Sequence, residues 1–115
     1  MKHMPTVNLY YRSKDNETEI AASVKPLKTY IAKKLTCGEI DLSPDEVSIR
    51  LLHVELGDGM MADVELDITA ANFSERVDSQ DWICLDVQAY IKQQIPSVSK
   101  VNVWLNLHEL GHSFE

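Results

Sequence analysis

Between residues 6 and 11, Val7, Leu9 and Tyr11 alternate with Thr6, Asn8 and Tyr10, the period of a half-buried strand. The period then lengthens. Ile20, Val24, Leu27, Ile31 and Leu35 recur at helical spacing, with Asn16 and Glu19 as an N-terminal capping pair and Lys33, Lys34 and Gly38 marking the other end. Pro26 removes one internal hydrogen bond from this helix and predicts a kink. Residues 41–46, which contain Ser43-Pro44, read as a loop, and a second strand is expected over 47–55, with Val47, Ile49 and Leu51 on one face and Ser48 and Arg50 on the other.

The turn signal Leu56-Gly57-Asp58-Gly59 separates this stretch from a second series of the same kind. Ala62, Val64, Leu66, Ile68 and Ala70 alternate with Asp63, Glu65, Asp67 and Thr69. A second helix, capped by Ser74, carries Val77, Ile83, Val87, Ile91 and Ile95 on one side and stops at Pro96. Val101, Val103, Leu105 and Leu107 then alternate with Asn102, Trp104, Asn106 and His108, a fourth strand. The order is strand, helix, strand, written twice. The expected fold is α+β: two βαβ units forming a four-stranded sheet with two helices on one face, parallel within each unit because a crossover helix returns the chain in the same direction. Residues 1–4 read as a leader or a cloning remnant and 5–115 as one domain, its repeats spanning about 5–56 and 60–115. Helices on one face leave the other needing cover, so oligomerisation is expected, although Asp63, Glu65 and Asp67 make part of that face polar.

Composition narrows the function classes. The 115 residues are 44% hydrophobic and 25% charged, ordinary for a folded globule. With 11 basic against 18 acidic residues the net charge is −7, the wrong sign for attracting phosphate backbones or anionic lipid, so neither nucleic acid nor membrane is an expected partner. No apolar run reaches the ~18 residues of a membrane span, and the N-terminus carries no apolar secretion signal. Cys37 and Cys84 lie far apart without CxxC spacing and read as reduced thiols, which together favours a cytoplasmic location.

Several pieces of the pattern resemble one family. Met4-Pro5 opens the first strand, Arg12-Ser13 leads into the first helix, Ser48-Ile49-Arg50-Leu51 follows a Ser-Pro loop, and Val64-Glu65-Leu66 precedes Ala70-Ala71-Asn72-Phe73-Ser74. In this order, on a duplicated βαβ frame covering nearly the whole chain, they resemble the tautomerase superfamily of 4-oxalocrotonate tautomerase, 5-carboxymethyl-2-hydroxymuconate isomerase and macrophage migration inhibitory factor. That resemblance implies a homotrimer without metal or organic cofactor. It also implies proton transfer in a small carboxylated enol or keto acid, with an amino-terminal proline as general base. An amine in an apolar pocket near cations loses affinity for its proton and can act near neutrality. By the resemblance Pro5 is the base, Arg50 the carboxylate and enolate clamp, and Arg12 a second anion contact. Met1-Lys2-His3 precedes Met4-Pro5, so Pro5 has a basic nitrogen only in a mature chain that begins there.

Other patterns compete. His108-Glu109-Leu110-Gly111-His112 spells the HExxH of a zinc hydrolase, but that motif needs a helix and here it follows a strand alternation directly. Arg50 has a plainer alternative, pairing with Asp63, Glu65 or Asp67 on a neighbouring strand. Trp104 occupies in the second repeat the place of Arg50 in the first, so it walls a substrate pocket or fills a subunit interface. His53 reads as a partly buried, hydrogen-bonded histidine, Tyr10, Tyr11 and Phe114 as packing, and Asp78, Asp81 and Asp86 as a solvated helix face. A non-catalytic oligomer on the same scaffold is the remaining alternative.

Overall fold

A computed structural model describes residues 4–55, 57, 59 and 62–109. Four strands form one mixed sheet: β1 (Thr6–Tyr11), β2 (Ser48–His53), β3 (Val64–Ala71) and β4 (Val101–His108), in the order β2-β1-β3-β4. β1 pairs in parallel with β2, and β3 with β4, while the central β1–β3 pair is antiparallel. Each βαβ unit thus contributes a parallel pair, and the units join at the middle of the sheet. The alternation read from the sequence sets the faces, since Val7, Leu9, Val64, Leu66 and Ile68 are fully buried beneath the helices. β2 lies at an edge, and Leu51 and Leu52 there remain exposed.

Helix α1 (Glu17–Leu35) buries Ile20, Leu27, Ile31 and Leu35. Ser23, rather than the expected Val24, faces the core, and its Oγ donates to the Ile20 carbonyl at 2.7 Å, which satisfies the buried hydroxyl. The helix continues through Pro26. Its start differs from the expected capping pair. Ser13 caps a single 3-10 turn over Lys14–Asn16, while Asn16 Nδ2 and Glu19 Oε1 both engage the Ser97 hydroxyl, at 3.0 and 2.8 Å. The two side chains therefore tie the first helix to the loop before β4 and leave the helix end uncapped by Asn16.

The second helix is divided at Ser79 into α2 (Ser74–Asp78) and α3 (Gln80–Gln94), and Phe73 rather than Ser74 holds the N-cap position. Backbone bonds from Ser79 N–H to Glu75 and from Ile83 N–H to Ser79 keep the two pieces nearly continuous. Arg76 consequently falls two turns before Ile83, on the face that also buries Val87 and Ile91. Val77, expected in the core, is 49% exposed, and Arg76 is 1% exposed. Gly57, in the expected turn, has φ +131°, a backbone that side chains disfavour. No helix among the described residues is long and apolar enough to cross a membrane.

Candidate functional site

Pro5 is buried at the head of β1, and its carbonyl accepts the Ser48 N–H at 3.0 Å, which extends the β1–β2 ladder by one rung. Alternation puts it on the helix side of the sheet with Val7 and Leu9. Met4 precedes it, so the Pro5 nitrogen in this polypeptide is an amide.

Arg50 lies on the opposite, helix-free face. The register sets it beside Asn8, Asn8 beside Asp67, and Asp67 beside Trp104, a row that crosses all four strands. Arg50 is exposed and pairs with no carboxylate among the described residues. The acids proposed for it are occupied elsewhere: Asp63 by Arg12, Glu65 by Asn102 Nδ2 at 3.2 Å, and Asp67 by Asn106 Nδ2. An exposed guanidinium can take a carboxylate in a bidentate pair.

Arg12 follows the far end of β1. Its guanidinium meets Asp63 at 3.3 Å, and the seven residue steps from Pro5 to Arg12 span about 23 Å of extended chain. Trp104 is 50% exposed and stands roughly 14 Å from Arg50, three strand spacings away. Within one copy, then, Pro5, Arg50, Arg12 and Trp104 occupy four separate places. Trp104 and Leu85 also wall a groove of about 520 Å³ at the outer edge of β4, above Cys84, whose thiol pKa is pushed up by burial and by Asp81.

His53 is half-buried, its Nε2 is 3.1 Å from the Arg12 carbonyl, and its ring packs against Tyr11 at 5.2 Å. The Tyr11 hydroxyl donates to Glu17 at 2.7 Å, which holds its proton more tightly than usual. Asp78 and Asp81 are exposed as expected, while Asp86 receives the Lys34 ammonium at 2.7 Å. His108 is the last residue of β4, so the HExxH sequence opens on a strand rather than in a helix, and His112 and Phe114 fall outside the described residues. Among the described residues no group of His, Cys, Asp and Glu side chains is placed to hold a metal ion. Cys37 and Cys84 are free thiols.

One charged group escaped the sequence reading. Arg76 sends Nε to the Leu35 carbonyl at 2.9 Å and Nη1 to the Ala71 carbonyl at 3.1 Å, so it joins the last turn of α1 to the end of β3. Its only signal was spacing, since Arg76, Ile83, Val87 and Ile91 share one helical face.

No protein-family model and no curated protein sequence matches the chain. Solved structures do. A protein of unknown function from Vibrio cholerae superposes with a TM-score of 0.69 at 13% identity, over 98% of this chain and 85% of that one. A fused 4-OT wild type that forms a symmetric trimer gives 0.66 at 12% identity, over 88% and 83%. A 5-carboxymethyl-2-hydroxymuconate isomerase from Deinococcus radiodurans gives 0.60 at 15% identity, over 96% and 86%. The chain has the tautomerase-superfamily fold. Identities this low establish the scaffold alone.

Proposed function

We propose that this chain is a tautomerase or isomerase-like protein that moves a proton in a small carboxylated enol or keto acid. Pro5, once amino-terminal, is the base. Its support is one observation: a buried proline heads an inner strand of a scaffold shared with a 4-OT and a muconate isomerase. Burial disfavours the charged form of an amine, which leaves its lone pair available near neutrality. Arg50 holds the substrate carboxylate, being an exposed guanidinium without a carboxylate partner among the described residues. Because Pro5 and Arg50 lie on opposite faces of one sheet, the working site combines residues of different copies. A homotrimer, the assembly of the similar fused 4-OT, supplies such a junction. Trp104 walls the cavity, and Arg12 steers the anion from the rim.

The test is a keto-enol assay on phenylpyruvate with protein that begins at Pro5 and with protein that retains residues 1–4. Activity is expected only from the first and should be abolished by Pro5→Ala. Equal activity from both forms removes Pro5 from the mechanism. The Met4–Pro5 amide favours a second reading, a non-catalytic oligomer on the same scaffold, and inactivity of both forms selects it.

A further inference from the structure

Val77, Trp82, Leu85 and Trp104 are large apolar side chains left exposed, Trp82 at 69%, and all four belong to α2, α3 or the adjoining strand β4. Val77, Asp81 and Leu85 follow one another at four-residue steps, and Asp78, Trp82 and Leu85 at steps of four and three, so these five share the outward side of the helix. Leu85 and Trp104 also line the groove of about 520 Å³ at the outer edge of β4, together with Val103 and Leu105. An apolar strip therefore runs from Trp104 across Leu85 to Trp82. Exposed tryptophans in a continuous strip with a polar rim have the make-up of a protein-binding surface.

Two observations choose the occupant. The β4 edge beside the groove is already filled from α3, since Gln80 and Gln88 donate to the Leu105 and Val101 carbonyls and the Leu105 N–H reaches the Cys84 thiol, so an added strand finds no partners there. Asp78 and Asp81 stand exposed among the apolar residues, paired with no cation among the described residues, in a chain of net charge −7. A second copy docked face to face would bring like charges together, and anionic lipid would be repelled. We propose that the α2–α3 face and the groove bind a partner's amphipathic helix with a basic polar side. Its apolar anchors enter between Leu85 and Trp104, and its lysines or arginines meet Asp78 and Asp81. Pro5 and Arg50 do not line the groove, so this surface is additional to the proton-transfer proposal and shares only Trp104 with it.

Trp82 and Trp104 are the two tryptophans of the chain, so intrinsic fluorescence reads this surface directly. The chain that retains residues 1–4 is titrated with a tryptophan-free helical peptide of leucine, alanine and lysine, about four turns long with its leucines on one side. A saturable blue shift is expected. At equal ionic strength neither the scrambled peptide nor its counterpart with glutamate for lysine should produce one. Leu85→Ser, a change at an exposed position that keeps both tryptophans, should weaken binding roughly tenfold, and Asp78→Lys/Asp81→Lys should transfer the response to the glutamate peptide. An absent or non-saturating shift, an equal response to the scrambled peptide, or undiminished binding by Leu85→Ser overturns the proposal. So does a blue shift on raising the protein concentration without peptide, when Leu85→Ser abolishes it, because a second copy then covers the face. The readout is binding by a chain whose Pro5 is blocked, so its failure leaves the proposed isomerase chemistry untouched.

Discussion

The Asp63 carboxylate accepts the Lys100 N–H at 3.0 Å, and this contact fastens the chain entering β4 to the start of β3. The same oxygen takes the Ser99 N–H and hydroxyl at 3.1 and 2.9 Å, and the other oxygen takes Arg12. Asp63 is thus the junction of three chain segments.

These donors, led by the Lys100 N–H, lower the Asp63 pKa from 3.8 to about 2. A depressed carboxyl pKa contributes stability that is present above the unfolded value and is lost as pH falls through the folded one. Asp63→Asn should therefore cost about 1–2 kcal/mol at pH 7, allowing for partial solvent screening, and progressively less as pH falls below about 4, with a small remainder near pH 2. Urea unfolding of both proteins across this range measures the difference.

Arg76→Ala removes the donors from two buried carbonyls and leaves a large void. The expected loss is roughly 2–4 kcal/mol, seen as a lower urea midpoint. Arg76→Lys should recover little of it, because an ammonium cannot span the Leu35 and Ala71 carbonyls as the planar guanidinium does.

The strands were legible because an alternating period on a half-buried sheet admits one register. Pro5, Arg50, Arg12 and Trp104 were legible as residue types, but their separation was not, since it depends on which face and which end of the sheet each occupies. Asn16 and Glu19 had the spacing of a capping box, and the contact that recruited them, Ser97, lies about eighty residues further along the chain. Arg76 was hidden by Val77: an apolar residue outranks a charged one in any hydrophobic pattern, and only the burial of Ile83 fixes which of the two faces inward.

That exchange gives a paired prediction. Val77→Thr should change stability by no more than about 0.5 kcal/mol, whereas Ile83→Ala should cost about 2–4 kcal/mol. Thermal or urea unfolding of the two variants compares them, and equal losses would contradict the assigned helix faces.

Gln80 and Gln88 reach from α3 to the outer edge of β4, where their amide nitrogens donate to the Leu105 and Val101 carbonyls, each at 2.7 Å. Occupied carbonyls are unavailable to a strand from another molecule. The double variant Gln80→Ala/Gln88→Ala should form larger species than the parent at equal concentration, which sedimentation velocity resolves.

The central β1–β3 pair joins residues separated by more than fifty positions, Tyr11 with Val64 at the near end and Thr6 with Thr69 at the far end. As the polypeptide leaves the ribosome, its first half emerges with one flank of β1 still bare. Completion must wait for the second half, and through that interval the nascent chain carries an open strand edge that chaperones are suited to shield.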